Sequence, residues 1–213
     1  MKFDKYINKI VYGDCKKVMK RFPDESIDLI ITDPPYLKEF LYTYEYLANE
    51  CPRIMKRGAS LLTILGHYAI PQVIKYFENK LKYRWLLCMN QFDGTHSRMA
   101  MGIEVMWKPV LWFVKDAYPQ GRGFLRDGIK ISGTEGQTKK LHKWQQDSSF
   151  YNYYIQKLSQ ENNIILDPYC GSGTTAEVCI NLKRNFICID NDIKSIKISR
   201  KRIEELKLKS DKT

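Results

Sequence analysis

A glycine-rich turn between two strand-like runs is the feature of this 213-residue sequence that most restricts its fold. Ile164-Ile165-Leu166 has the composition of a buried strand, and the turn that follows contains Gly171-Ser172-Gly173 and opens a predicted helix over 174–182. A second strand, Phe186–Ile189, ends at Asp190. Strands that alternate with helix-length segments are typical of a largely parallel sheet. The segment therefore predicts an α/β fold with the glycine turn at the carboxyl edge of the sheet.

This turn has the features of a ligand site. Glycines at 171 and 173 let the backbone approach a ligand closely, and the helix N-terminus offers N–H groups to an anion. Asp190, after the next strand, can accept hydrogen bonds from ribose hydroxyls. The spacing G-x-G-x-x-A also fits a dinucleotide-dependent dehydrogenase, and a tight turn in an unrelated α/β protein is a further alternative.

A second motif follows another strand-like run, Ile27–Ile31. In Thr32-Asp33-Pro34-Pro35-Tyr36, two consecutive prolines fix φ and remove two backbone donors, so that neighbouring carbonyls are held outward at the end of a strand. Ligands of open α/β sheets bind at that edge. Asp33 and the carbonyl beside Pro34 are acceptors, and Tyr36 adds a flat ring. Two acceptors and a flat ring suit a planar heterocycle that carries an amino group, which a dehydrogenase would leave unexplained. A strand-ending Pro-Pro turn with a chance Asp and Tyr is the alternative.

The rest of the chain continues the same alternation. Ser60–Leu65 is an apolar run, and the runs over 83–89 and 105–114 predict an antiparallel hairpin. From Ile193 onward, an apolar stripe at helical spacing predicts a C-terminal helix. The stretch Asp116–Leu141 is rich in glycine and basic residues and has little periodicity, so we expect an inserted loop there.

Composition restricts the partner and the compartment. There are 35 Lys and Arg against 24 Asp and Glu, a formal charge of +11, which fits a nucleic-acid partner and equally a solvated lysine-rich surface. Much of the excess falls within 183–213. The six cysteines form no C-x-x-C pair, so we predict reduced, packed thiols and no metal site. No apolar run could span a bilayer and no secretory pattern is present, so we expect a cytoplasmic protein without membrane association.

Taken together, the Asp33-Pro34-Pro35-Tyr36 motif and the run from Asp167 to Thr175 resemble those of the amino-group DNA methyltransferases that use S-adenosylmethionine. The position of the Asp33 motif ahead of the glycine turn is similar to the β-type circular order of that family, and the resemblance covers nearly the whole chain. It implies a Rossmann-like methyltransferase fold, in which a mostly parallel open sheet contains an antiparallel hairpin strand. It also implies a single methyltransferase domain over 1–213, with a target-recognition segment at about 116–141.

The resemblance implies that Asp33, Pro34, Pro35 and Tyr36 are catalytic and that S-adenosylmethionine is the cofactor. Asp14 would bond its adenine and Asp190 its ribose, while Tyr169 and the glycine turn would shape the methionine end. The expected cofactor-binding residues are Asp14, Cys15, Asp33, Gln146, Asp167, Tyr169, Gly171, Ser172, Gly173, Thr174, Thr175 and Asp190. Many members of the family have Lys-Pro where this chain has Gln146-Asp147, so the sequence departs from the family's pattern there.

The resemblance also implies double-stranded DNA as the partner, with the target nucleotide flipped out of the duplex. Arg122 and Arg126 of the inserted segment could grip guanine edges and could equally be phosphate anchors. Arg98 and Lys130 complete the predicted DNA-binding set. Tyr42, Tyr44 and Tyr46 follow the Pro-Pro motif and could form either a loop over the flipped base or an ordinary helix face.

The target base is predicted from one position. In this family, Asp before Pro-Pro-Tyr goes more often with adenine N6 than with cytosine N4, so we expect an N6-adenine DNA methyltransferase. Cytosine-N4 DNA methylation, RNA adenine methylation and a catalytically silent cofactor-binding subunit remain as alternatives. The expected assembly is a monomer or homodimer, or a complex with a partner subunit for recognition.

Overall fold

An eight-stranded sheet with helices on both faces forms the centre of the protein. The computed structural model describes residues 3–90, 97–99, 102–117, 123–131 and 148–210. Its α-helices and strands, in chain order, are β1 (Lys9–Tyr12), α1 (Cys15–Met19), β2 (Ile27–Thr32), α2 (Leu41–Ile54), β3 (Met55–Ile64), α3 (Ile70–Phe77), β4 (Lys82–Asn90), β5 (Ser97–Arg98), β6 (Glu104–Val105), β7 (Trp107–Val114), β8 (Gly128–Lys130), α4 (Ser148–Leu158), β9 (Ile164–Asp167), α5 (Thr174–Asn181), β10 (Asn185–Asp190) and α6 (Ile193–Ser210).

The strands of the large sheet stand in the order β1-β10-β9-β2-β3-β7-β4-β8. Neighbouring strands are parallel except where β7 pairs with β3 and with β4, so β7 alone of these eight runs in the opposite direction. Trp85 of β4 faces Trp112 of β7 in the hairpin that the sequence predicts. The fold class is therefore confirmed: a mostly parallel open sheet with an antiparallel hairpin strand.

The sheet separates two apolar cores, and this explains why its central strands are apolar without alternation. In β2, Leu29 and Ile31 belong to the core beneath α4, α5 and α6, whereas Ile27 and Ile30 belong to the core beneath α1, α2 and α3. All four side chains are fully buried. Because both faces of β2 are covered, its carboxyl end is the part of the strand that reaches solvent and ligands.

The cysteines pack as predicted. All six are free thiols, and five of them are buried. Within the described ranges, no group of three His, Cys, Asp or Glu side chains is placed to hold a metal ion. None of the helices that the structure describes is both long and apolar enough to cross a membrane.

The expected loop over Asp116–Leu141 contains one short strand, β8, among the residues of it that the structure describes, and the rest of those residues are turn or coil. Residues 127–131 run beside β4, where Met89 pairs with Ile129, and they add β8 as the outer strand of the sheet. Ile129 and Ile131 are buried and alternate with exposed Lys130. A three-residue strand is too short for such an alternation to be recognised among the glycines around it.

Candidate active site at the carboxyl edge of the sheet

The two motifs meet because β2 and β9 are neighbours in the sheet. Leu29 pairs with Ile165 and Ile30 with Leu166, so the residues that follow the two strands project from the same edge. Between them lies a cleft of about 170 Å³, lined by Asp33, Tyr151, Asp167, Tyr169, Cys170, Gly171, Ser172, Thr174 and Thr175. Seven of these nine residues are among the predicted cofactor-binding residues.

Asp167 is a buried carboxyl that ties the two motifs together. Its Oδ1 accepts hydrogen bonds from the Thr32 hydroxyl at 2.9 Å and from the Tyr169 N–H at 3.2 Å. Its Oδ2 accepts from the Thr175 hydroxyl at 2.6 Å. Burial raises the pKa of Asp167 to about 7, although its donors favour the ionised form. Asp167 and Thr175 are thus buried residues at the floor of the cleft, and their hydrogen bonds fix its shape.

The glycine turn depends on a close approach between Gly173 and α6. Gly173 has φ 82°, and a Cβ at this position would lie 2.8 Å from the Cβ of Ser199. Both the left-handed backbone and the contact require glycine here. Arg202, one turn further along α6, donates to the Ser172 carbonyl at 3.4 Å and to the Thr174 hydroxyl at 3.3 Å. The last helix therefore supports the turn from below.

Asp190 and Asp14 lie at the neighbouring carboxyl ends. Asp190 accepts the Gly171 N–H at 2.8 Å on Oδ2 and the Asp192 N–H at 2.8 Å on Oδ1. Its carbonyl accepts the Gly13 N–H, which places Asp14 immediately beside β10. The Asp14 carboxylate caps α1 by accepting the Lys16 N–H at 2.9 Å. Both carboxylates thus sit at one end of the glycine turn and are oriented by backbone donors.

The Asp33 side chain is in contact with its own motif. The Tyr36 hydroxyl donates a hydrogen bond to Asp33 Oδ1, and the Tyr68 hydroxyl donates to the Tyr36 carbonyl. Burial and the nearby Asp33 carboxylate raise the pKa of Tyr36 well above its usual value, so the phenol is a neutral donor. Pro34 is buried and Pro35 exposed, as expected of a turn that leaves the sheet.

The three tyrosines after the motif belong to a helix, which decides between the two interpretations. Tyr44 is buried in α2 and its hydroxyl donates to the Ile64 carbonyl at 3.1 Å. Tyr46 donates to the Lys16 carbonyl at 3.2 Å. Tyr42 is 48% exposed, and the ammonium of Lys16 lies 4.4 Å from its ring centroid. The helix-face interpretation is confirmed, with Tyr42 on the solvent side.

Several site residues were not identified from the sequence. Tyr151 of α4 lines the cleft and is buried, and burial together with the carboxylates of Asp33 and Asp167 raises its pKa well above the usual value. Tyr68 and Arg202 likewise contact motif residues. Only the aromatic run over 150–154 could have drawn attention to Tyr151, because its position depends on how α4 packs across the sheet.

The predicted DNA-binding residues that the structure describes lie in two places, a separate two-stranded sheet of β5 and β6 and the region of the outer strand β8. Arg98 is exposed in β5, and its Nε lies 3.8 Å from Glu104 Oε1. Arg126 and Lys130 are exposed before and within β8, where Lys130 pairs with Asn90. The Arg126 backbone is held by the hydroxyls of two tyrosines of α4. Arg122, and Gln146, which is predicted to bind the cofactor, lie outside the described residues.

Comparison with known proteins decides the family. The profile of a DNA methylase family, the N6/N4 methyltransferases, matches residues 27–201. The chain belongs to this family. It is 28% identical to the type II methyltransferase M.HinfI of Haemophilus influenzae, over 95% of this chain and 70% of that protein. It is 25% identical to the DNA adenine methyltransferase YhdJ of Escherichia coli K12, over 95% of this chain and 85% of that protein.

Solved structures of other methyltransferases share the fold. The M1.HpyAVI–SAM complex superposes with a TM-score of 0.76 at 24% identity, over 92% of this chain and 98% of that one. The PvuII cytosine-N4-specific DNA methyltransferase also gives a TM-score of 0.76, at 16% identity over 90% and 84% of the two chains. These findings confirm the predicted family and its methyltransferase fold.

Proposed function

We propose that this member of the N6/N4 DNA methylase family transfers the methyl group of S-adenosylmethionine to the exocyclic amino nitrogen of adenine in double-stranded DNA. The observation that carries the proposal is the junction of the two motifs. The acceptor Asp33 and the ring of Tyr36 leave β2 beside the glycine turn that follows β9. A base bound at the first motif and a cofactor bound at the second would thus face each other across one cleft.

The chain's own residues fit such a cofactor. Each Asp190 oxygen already accepts one backbone N–H and keeps capacity for a second donor, so it can bind the ribose hydroxyls. Asp14 lies beside it for the adenine, as the family resemblance implies. Tyr169, next to Cys15, gives an aromatic wall, and the open turn at Gly171 leaves room for the methionine end. When bound, S-adenosylmethionine supplies a methyl group on a positively charged sulfur.

The first motif prepares the amino group for attack. An exocyclic amine is a weak nucleophile because its lone pair is delocalised into the ring. Two acceptors, the Asp33 carboxylate and the Pro34 carbonyl, hold its hydrogens and direct the lone pair toward the methyl carbon. The new N–C bond forms as the S–C bond breaks, and a proton then leaves the nitrogen to Asp33 or to water. Stacking on Tyr36, worth roughly 1–3 kcal/mol, offsets much of the cost of flipping.

Base binding requires an exchange of hydrogen bonds at Asp33. The Tyr36 hydroxyl donates to Asp33 Oδ1 in this structure, and an incoming amino group would need the same carboxylate. Because Tyr68 holds the backbone carbonyl of Tyr36, the ring can rotate while the turn itself stays in place. The tyrosine thus gives up a polar contact with Asp33 and gains a stacking contact with the base.

Adenine is the preferred target for two reasons. Asp33 stands where the family resemblance associates aspartate with adenine N6, and YhdJ, whose name specifies adenine, aligns with most of this chain. The PvuII enzyme shows that a cytosine-N4 enzyme uses the same fold. Cytosine N4 is therefore the second candidate, and the two bases make the same demand on Asp33 and Pro34.

Recognition of the DNA sequence is assigned to the residues about 116–141 and their surroundings. Exposed Arg126 and Lys130, before and within β8, and exposed Arg98 of the separate β5–β6 sheet are the proposed duplex contacts, and Arg122 completes the set. In this proposal residues 1–213 act as one domain. The short segment would read a short site.

One experiment tests the proposal. The protein is incubated with labelled S-adenosylmethionine and either unmethylated plasmid DNA or total RNA, and the nucleosides are separated by mass spectrometry. We expect N6-methyldeoxyadenosine from DNA. N4-methyldeoxycytidine would establish the second candidate, and methyladenosine confined to RNA would replace DNA by RNA. Cofactor binding without any methylated product would indicate a silent subunit.

A further inference from the structure

A lysine lies against the ring on which the target base would stack. Lys108 is the second residue of β7, and its Nζ lies 5.4 Å from the ring centroid of Tyr36. Because β7 runs against its neighbours, its first residues extend past Ile64, the end of β3, to the carboxyl edge. In the strand order β9-β2-β3-β7, Lys108 therefore approaches the Asp33 motif from the β7 side of β2, whereas the glycine turn lies on the β9 side.

Among the described residues, no carboxylate lies within ion-pair distance of the Lys108 ammonium, which is in contact with the ring of Tyr36. Lys16 lies over the ring of Tyr42, on the cofactor side, and Arg98 is near Glu104. The neighbour of Lys108 in the chain, Trp107, contacts His67 edge to face at 4.6 Å. Burial lowers the pKa of His67, so this histidine is neutral near pH 7 and brings no charge of its own.

We propose that Lys108 binds a backbone phosphate of the flipped nucleotide, and this inference rests on the proposed function. A base that stacks on Tyr36 brings its sugar and its flanking phosphates to the mouth of the motif. A lysine with a flexible four-carbon stem and a compact charge can reach such a phosphate from its present position. The ammonium leaves the face of Tyr36 as the base takes that face.

The chemistry of the reaction favours the phosphate over the base as the ligand of Lys108. Methyl transfer places positive charge on the amino nitrogen, and an unpaired ammonium beside it would oppose that charge. Pairing with a phosphate neutralises Lys108 while the reaction proceeds. The same contact fixes the nucleotide after its rotation, so that the amino group faces Asp33 and Pro34.

The test compares Lys108→Met, which keeps the stem, with Lys108→Arg, which keeps the charge. Lys82→Met is the matched control, because Lys82 is exposed at the far end of β4, where it pairs with Val114. Methyl incorporation into unmethylated plasmid DNA is measured from about 50 to 200 mM NaCl, and log(kcat/KM) is plotted against log salt concentration. Loss of one phosphate contact should make the slope less steep by about 0.9.

We expect the Lys108→Met slope to change by that amount, with Lys108→Arg and Lys82→Met close to wild type and the KM for S-adenosylmethionine unchanged in all three. A Lys108→Met variant that loses activity with the wild-type salt slope would place Lys108 on the base and overturn the proposal. Thermal unfolding identifies a variant that fails to fold, in which case Lys108→Gln replaces it. Wild-type protein that methylates no DNA would instead overturn the proposed function itself.

Discussion

The hydroxyl of Thr32 donates a hydrogen bond of 2.9 Å to Oδ1 of Asp167, and this bond joins two motifs that are 135 residues apart in the chain. One partner is the last residue of β2, directly before Asp33. The other is the last residue of β9, directly before the glycine turn. The relative position of the two halves of the cleft thus depends on a contact between buried polar side chains.

Thr32→Val should therefore destabilise the protein by about 0.5–1.5 kcal/mol, because it removes the shorter of the two hydrogen bonds to Oδ1 of the buried Asp167 carboxyl and leaves only the one from the Tyr169 N–H. The matched control is Thr63→Val on the neighbouring strand. Thr63 pairs with Thr32 in the register, and its buried hydroxyl has no hydrogen-bond partner within the described structure. Thr63→Val should lower the free energy of unfolding by less than about 0.5 kcal/mol, or raise it. Equal losses in urea unfolding would show that the bond to Asp167 has no special role.

Stability should depend on pH through Asp167. Because the pKa of Asp167 is raised from 3.8 to about 7, the folded protein keeps this proton while the unfolded chain has lost it between these values. The free energy of unfolding should then fall with rising pH by up to about 1.4 kcal/mol per pH unit, and level off above about 7. Urea unfolding of wild type and Asp167→Asn from pH 5 to 8 isolates the effect, because residue 167 titrates only in wild type. The free energy of unfolding of wild type minus that of Asp167→Asn should fall as the pH rises. A constant difference would contradict it.

Gly173→Ala should be more harmful than Gly171→Ala. The Cβ of an alanine at 171 would have no atom within 4 Å. This variant therefore has only the conformational cost of a non-glycine residue at φ 49°, roughly 1–2 kcal/mol. Alanine at 173 has φ 82° and also meets Ser199 at 2.8 Å. Adding Ser199→Gly should recover part of the loss in thermal stability and in affinity for S-adenosylmethionine. If the double variant recovers nothing, the contact with α6 does not cause the loss.

Arg202 should matter for cofactor binding although it lies below the turn. The Arg202 guanidinium is paired with Glu177, and only 10% of the Arg202 side chain is exposed. Arg202→Met should raise the Kd for S-adenosylmethionine roughly 3- to 10-fold, equivalent to about one hydrogen bond. Lys201→Met is the control, because Lys201 has 74% of its side chain exposed. Calorimetric titration distinguishes them, and equal affinities would show that the turn keeps its shape without Arg202.

Asp33→Ala should abolish methylation and spare the cofactor. We expect kcat to fall by at least about 100-fold, since the amino group loses an oriented acceptor in the transition state. Affinity for S-adenosylmethionine should stay near that of wild type, as it should for Glu161→Gln, a change at an exposed acidic residue in the turn between α4 and β9. Full methylation by Asp33→Ala would remove Asp33 from the catalytic role.

The motif residues could be placed from the sequence because each motif is local. Asp33 follows a buried run and a Pro-Pro turn, and Gly171 and Gly173 lie between a strand and a helix, so that neighbouring residues determine their positions. The parallel sheet then brings carboxyl ends to one edge whatever the order of the strands. The hairpin of β4 and β7 was likewise predictable from two adjacent runs.

The residues that reach the site from elsewhere could not be placed in this way. Four residues contact the motifs only because distant elements pack together: Tyr151, Tyr68, Lys108 and Arg202. None of them belongs to a sequence pattern that predicts a functional role. The basic C-terminal helix illustrates the difference. Its composition favoured a polyanionic partner, whereas Arg202 is occupied with the glycine turn and Arg200 donates to the Ile10 carbonyl at 2.9 Å.

The order of the strands also has a consequence for synthesis on the ribosome. β2 lies between β3 and β9, and β9 belongs to roughly the last quarter of the sequence. Until that part emerges, a nascent chain can pair β2, β3, β7 and β4. The edge of β2 that later pairs with β9 stays unpaired, and both faces of this strand are apolar. Pairings of such long range are slow and expose strands to aggregation. Folding intermediates stalled before β9 should therefore be the species that chaperones bind.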